Sequence, residues 1–267
     1  MSLDGVRAAE REYWDTIRAG QELYEVDVER VRRELLAPCF TSGVDWYSDN
    51  KKAFHERFLQ ERWKGKHVLD YGCGSGVWSA YFALTGAARV TGFDLSPVSV
   101  AMGQERVRRQ GLQDRVRLMA MDATALGFSD DAFDLVIGHG VIHHVIKYPN
   151  IFEELWRVMA PGGRAYFSEG LADFPLWRLW WTLKGEVPDG DVPIFSREVR
   201  EKAHMFSDVQ IHGDNFVYSL KRLLWKRQPS AIRRGLLRAC HLADEALFAA
   251  IPPLRRWGSY SYIVLVK

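Results

Sequence analysis

Between Lys66 and Ser168, short apolar runs alternate with longer stretches whose apolar residues recur every three or four positions. The runs His67–Tyr71, Arg89–Asp94, Val116–Ala120, Phe133–Gly138 and Arg164–Ser168 read as strands. Val77–Leu84, Pro97–Gln110 and Asn150–Met159 read as helices between them. Such alternation predicts a parallel sheet in doubly wound order, with helices on both faces. Ahead of this core, Tyr13, Trp14 and Ile17, then Leu23, Tyr24, Val28, Val31 and Leu35, recur near helical spacing with Arg and Glu between them. Residues 5–36 therefore read as helix, ended by Pro38, and Lys52–Trp63 as a further short helix. After Gly170 the rhythm breaks. Residues 171–195 are rich in Trp, Pro and Gly, Ser196–Phe206 reads as helix with Ser196 at its start, and Val209–Ile211 as a short strand. Residues 217–250 read as helical and basic, and Tyr260–Val266 as a β-branched and aromatic strand. The pattern divides the chain into a helical lid (1–60), a core (61–170) and a cap that carries the last two strands (171–267).

Composition narrows the classes. With 267 residues, 47% of them hydrophobic, the chain can bury one large core. A formal net charge of +2 gives no overall bias toward nucleic acid. Cys39, Cys73 and Cys240 are far apart and form no CxxC or Cys/His set, which points to a reducing, cytoplasmic setting without a metal site. The polar start MSLDGVRAAEREYWD is unlike a signal peptide, and no apolar run approaches the roughly 20 residues of a membrane span.

The chemistry starts at "HVLDYGCGSGVWS", residues 67–79. A strand runs into Asp70 and then Gly72, Gly74 and Gly76 at alternate positions. This is not the G-x-G-x-x-G of a dinucleotide fingerprint. A carboxylate beside the turn repels a phosphate and suits an amine-bearing ligand, while glycines let the backbone approach it closely. Asp94 closes the second predicted strand, 18 residues after Gly76, where an acid can accept both hydroxyls of an unphosphorylated ribose. Asp122, in "MDATAL" after the third, can accept from an exocyclic adenine amine. An adenosine with an amine and no phosphate describes S-adenosylmethionine. Plainer readings stand beside these: Asp94 as a helix cap (Ser96 being the better candidate), Asp122 as a solvated turn residue, and Cys73 as a small filler.

Five segments in order, "VLDYGCGSG" (68–76), "VTGFDLS" (90–96), "MDATAL" (121–126), "FDLVIGHGVIHHV" (133–145) and "LWRVMAPGGRAYFSE" (155–169), resemble class I S-adenosylmethionine-dependent methyltransferases that act on small molecules. The resemblance implies an α/β, Rossmann-like fold: a seven-stranded, mostly parallel sheet with helices on both faces, a helical lid and a final antiparallel strand in "SYSYIVLVK". It implies S-adenosylmethionine as cofactor and S-adenosylhomocysteine as product. Asp70, Gly72, Gly74 and Gly76 would line the methionine and ribose side. Asp94 would take the ribose hydroxyls, Leu95 would pack on adenine, Asp122 and Ala123 would meet its edge, and His139 would lie under the sulfonium. Tyr13, Trp14, Trp46 and Tyr47 resemble a lid that closes over the site.

The acceptor lies outside the shared motifs. His143 is the expected base, helped by Glu169 after the fifth strand, and the adjacent His144 reads as a packed, hydrogen-bonded core histidine. In "FPLWRLWWTLKG", Trp177, Trp180 and Trp181 share one helical face, read as lid packing, as the wall of an apolar acceptor pocket or as an interfacial anchor on a membrane. Residues 218–256 hold nine Lys or Arg against Asp244 and Glu245, interleaved with leucines. That suits a solvated basic face or, together with the aromatic face, an acceptor with an apolar body or an anionic headgroup nearby. These features lead to an apolar small-molecule acceptor (isoprenoid, lipid or polyketide-like), with oxygen the default acceptor atom ahead of carbon. An RNA or protein substrate is disfavoured, because "GHGV" stands where an "NPPY"-type tetrapeptide would be. A non-catalytic protein that kept the cofactor site is the alternative from another class. Nothing in the sequence sets an oligomeric state.

Overall fold

In the computed structural model, residues 3–34, 36, 48–174, 194–220 and 230–267 are described. Five parallel strands form the centre: β1 (His67–Tyr71), β2 (Arg89–Asp94), β3 (Val116–Ala120), β4 (Phe133–His139) and β5 (Met159–Gly170). β6 (Asp208–Asp214) and β7 (Tyr260–Val266) complete one seven-stranded sheet in the order β3-β2-β1-β4-β5-β7-β6. β7 is antiparallel to both its neighbours. The fold is thus the expected mostly parallel, Rossmann-like sheet, and the cap's two strands belong to the same sheet as the core.

β1 is buried from Val68 to Tyr71 because apolar residues cover both faces of a central parallel strand. Alternate residues feed opposite cores. Val68, Phe82, Leu118, Tyr166 and Tyr262 meet on one face, and Leu69, Tyr71, Phe93, Phe152 and Phe167 on the other. Helix α4 (Val77–Leu84) follows the glycine loop, and α5 (Pro97–Arg109) follows β2. Ser96 caps α5 by accepting from the Ser99 N–H at 2.9 Å, as its sequence position suggested. Gly76 lets these two helices approach: a Cβ there would meet Leu118 at 2.7 Å and the Gly103 Cα at 3.3 Å.

Several boundaries differ from the sequence reading. The N-terminal stretch is two helices, α1 (Leu3–Ala19) and α2 (Val28–Glu34), not one. The break follows Gly20, and the intervening backbone is tied to α5 instead. Gln110 bonds both the N–H and C=O of Val26, and Arg106 donates to the Tyr24 carbonyl at 3.0 Å. Next come α3 (Ser48–Ala53) and a π-helical turn over Phe54–Leu59, so the helix expected at Lys52–Trp63 starts and ends earlier. After β4 come α6 (Ile142–Val145) and α7 (Ile151–Val158). β5 begins earlier than expected, at Met159, with a bulge before Arg164. α8 spans only Ser196–Lys202; Asp173, rather than Ser196, serves its first turn by accepting the Ser196 N–H. The basic stretch holds a short turn at Val217–Leu220 and the helix α9 (Ala231–Ala250). Among the described residues, no helix is long and apolar enough to cross a membrane.

Candidate active site

The carboxyl ends of β1, β2 and β4 lie side by side, with Asp70 paired to Gly92 on one flank and to Ile137 on the other. Ligands bind at this edge in doubly wound sheets. Here Gly72, Gly74 and Gly76 hold φ of 71°, 51° and 71°, values that side chains resist. A Cβ on Gly72 would come within 2.5 Å of Val141, whereas one on Gly74 would face open space and meet only the Arg18 guanidinium, at 3.5 Å. Asp94 fixes the loop by accepting the N–H of Gly74 at 2.8 Å and of Ser96 at 3.0 Å. Burial raises its pKa, and those two N–H groups work against the rise.

A cavity of about 160 Å³ opens there. Its core wall includes Gly72, Gly74, Asp94, Leu95, Asp122, Ala123 and His139, seven of the nine residues picked for the cofactor. Asp70 and Gly76 are not on that wall. Asp70 is buried behind the loop, accepts from the Ser79 hydroxyl, and is pushed up to about 7 by its burial. Its place is under the glycine turn, holding α4. Cys73 is buried as well and its thiol is pushed up, which fits the filler reading.

The opposite wall is α1, which contributes Arg7, Glu10, Trp14 and Arg18. Arg7 Nε lies 3.4 Å from Asp122, and Glu10 pairs with His144 at 3.0 Å and Lys147 at 3.5 Å. The Ser96 hydroxyl donates to Asp15. Trp14 faces the cavity, but Tyr13 is 58% exposed, because neighbours on a helix point about 100° apart. Tyr13 is therefore no part of this wall. Tyr47, Trp177 and Trp181, with Trp46 and Trp180, lie outside the described residues. Sequence reasoning missed Arg7, Glu10 and Arg18. Their spacing with Trp14 (i, i+3, i+7, i+11) was a legible stripe, passed over because it is polar.

Beyond β4, Glu169 is fully buried and accepts three bonds. Its Oε1 takes the N–H groups of Val141 and Ile142, both at 2.7 Å, and Oε2 takes Nδ1 of His143 at 2.8 Å. The structure thus brings together the two residues expected to share proton chemistry. His143 stands off the cavity wall, on the Glu169 side. His144 is packed and hydrogen-bonded as expected, but against the lid rather than in the core: it is paired to Glu10 and edge-on to Trp14 at 5.6 Å.

His139 ends β4 on the cavity wall, its Nδ1 2.9 Å from the Ser168 hydroxyl. Its Nε2 is shielded from solvent and has no hydrogen-bond partner among the described residues. Trp78, Phe54 and His55 crowd its ring at 4.7, 5.0 and 5.6 Å. Burial holds both imidazoles neutral, with His55 lowered to about 3 and His139 also well below its ordinary value. Among the described residues, no three His, Cys, Asp or Glu side chains converge as a metal site.

Comparison with known proteins agrees with this geometry. A family described as "Methyltransferase domain" matches residues 68–163. Demethylmenaquinone methyltransferase of Listeria welshimeri is 33% identical over 226 residues, covering 83% of this chain and 84% of that protein. Methyltransferase GfsG of Streptomyces halstedii is 37% identical over 149 residues, which is 51% of this chain and 54% of that protein. Among solved structures, the [4+2]-cyclase SpnF superposes with a TM-score of 0.62 at 20% identity, over 98% of this chain and 95% of that one; it shares the fold.

Proposed function

The chain belongs to the class I S-adenosylmethionine-dependent methyltransferases that act on small molecules, and from that premise we propose that it methylates a hydroxyl of an apolar acceptor, with His143 as base and Glu169 as its orienting partner.

The donor set fits S-adenosylmethionine. Asp94 keeps spare lone pairs for two ribose hydroxyls, and Leu95 and Ala123 offer apolar contact to a purine beside the Asp122 carboxylate. Gly74 leaves open the space that a side chain would fill, and the Arg18 guanidinium beside it suits the methionine carboxylate. When bound, S-adenosylmethionine supplies a sulfonium-activated methyl group for in-line displacement. The chain's own contribution is positioning and proton transfer. α1 closes the cavity against water through its contacts to Asp122, His144 and Ser96. The Glu169 carboxylate accepts a hydrogen bond from the Nδ1–H of His143, which makes Nε2 the atom that accepts the acceptor's proton. The imidazolium so formed is stabilised by the carboxylate that orients it.

The observation that carries this reading is the pairing of the half-buried His143 with the fully buried Glu169 beside the cofactor cavity. An apolar acceptor is supported by Trp14, Val141 and Val145, which share the cavity wall with His139. The listerial relative is named for demethylmenaquinone, itself a small molecule. The test is His143→Ala: turnover falls at least about tenfold, while affinity for S-adenosylhomocysteine by calorimetry stays within error. Undiminished turnover at saturating acceptor removes His143 from the chemistry.

A further inference from the structure

No step of the proposed reaction uses the insertion between β6 and β7. Tyr260 pairs with Gly170 and with Asp214, so the insertion leaves and rejoins the sheet one residue beyond Glu169, at the acceptor end. Its main element, α9, buries Leu237, Asp244 and Phe248. Asp244 anchors it by accepting the N–H groups of Phe216, Val217 and Tyr218 at 2.6–3.0 Å.

The far side of α9 is apolar and uncovered. Ile232 is 78% exposed and Leu236 47%, and Ala239 and Ala250 continue the stripe at helical spacing. Directly after the helix, Ile251 is 50% exposed and Trp257 36%, with Arg256 lying 4.2 Å over the indole. At 3.6 residues per turn, Arg233 and Arg238 fall about 100–120° to either side of the stripe. The exposed acid on α9 is Glu245, which faces His241 at 3.7 Å. Among the described residues of 218–256, the cations are Arg233, Arg234, Arg238, Arg255 and Arg256 and the acids are Asp244 and Glu245, and Asp244 is already spent on backbone N–H groups.

We propose that α9 and the turn after it dock the enzyme on an anionic lipid surface, with Ile232, Leu236, Ile251 and Trp257 entering the headgroup region and the flanking arginines meeting its negative charge. Charge decides the occupant. A second copy packed on this stripe across a two-fold axis would bring the same arginines together, at a cost. An anionic bilayer rewards both features: apolar side chains enter it, and the long arginine stems lie along its edge with their charges in the headgroups. Docking there sets the acceptor end of the sheet against the phase in which an apolar acceptor dissolves.

The experiment is flotation of the purified full chain with phosphatidylcholine vesicles, with and without phosphatidylglycerol. The wild-type chain floats with the anionic vesicles only, and rising salt weakens the association. Ile232→Glu/Leu236→Glu binds at least about tenfold more weakly. Arg233→Gln/Arg238→Gln binds roughly 25-fold more weakly, at about fivefold per basic residue. Both double variants keep wild-type affinity for S-adenosylhomocysteine, so lost binding is not lost fold. Flotation with neither vesicle, equal flotation with both, an unaffected glutamate variant, or a wild-type dimer that the glutamates dissociate would each overturn the proposal. None of these outcomes touches the assignment of His143, which is read by turnover.

Discussion

Replacing Glu169 by Gln separates the orienting role of this side chain from its structural one. The carboxylate is fully buried and makes three bonds, two to backbone N–H groups and one to His143 Nδ1. A glutamine can turn its carbonyl oxygen to Val141 and Ile142 and keep both N–H groups satisfied. Its amide nitrogen then faces Nδ1 and donates to it, forcing the proton onto Nε2 and removing the base. By analogy with other histidines held in the wrong tautomer, kcat falls about 10²–10⁴-fold, or roughly 3–5 kcal/mol in the barrier. Stability changes by only about 1 kcal/mol, the charge-assisted part of the bonds. Glu169→Ala is the less informative change. It strands two buried N–H groups at about 1–3 kcal/mol each, a large share of the ~5–15 kcal/mol that holds a domain together. The assay is methyl transfer from labelled cofactor at saturating concentrations, with urea unfolding and calorimetric binding of S-adenosylhomocysteine as controls. A Glu169→Gln enzyme that folds, binds cofactor and turns over within threefold of wild type refutes the base assignment.

Two further outcomes follow from the same geometry. Arg18→Ala weakens S-adenosylhomocysteine binding by about 10–150-fold in calorimetry, the worth of a charge-assisted bond to a carboxylate; an unchanged Kd removes Arg18 from the site. His55→Phe keeps the ring stacking but removes two buried nitrogens that have no partner among the described residues, and raises stability by about 1–3 kcal/mol in urea unfolding. Because the His55 pKa in the folded chain is depressed to about 3, the unfolded chain takes up the proton first as pH falls. Its contribution is therefore full above about 6.5 and lost between 6.5 and 3. The Phe variant loses that part of the acid sensitivity, and an identical pH–stability curve contradicts the buried neutral imidazole.

The core was legible because its signals are local. Apolar runs set by the needs of a two-faced central sheet, glycines at positive φ and acids at strand ends all appear within a few residues of one another. Elements outside it were harder to read because their partners are distant in sequence. Gln110 and Arg106 break the N-terminal helix by binding the backbone of Val26 and Tyr24, 82 to 84 residues away. His143 and Glu169 were named from their positions, but the two N–H bonds that make Glu169 structural as well depend on β4 and β5 lying side by side. His144 was misread because the partner that draws it out of the core, Glu10, sits on the lid. Asp70 was given a ligand because an acid beside a glycine turn suits an amine, yet the Ser79 hydroxyl one helical turn into α4 claims it first.

The most direct test follows the methyl group itself. The enzyme is incubated with methyl-labelled S-adenosylmethionine and a total metabolite extract of its source, and the products are partitioned between organic solvent and water. The proposed reaction predicts enzyme-dependent label in the organic phase, carried as an O-methyl group and at least about tenfold slower to appear with His143→Ala. Label confined to water, to nucleic acid or to protein, or no transfer at all, contradicts it.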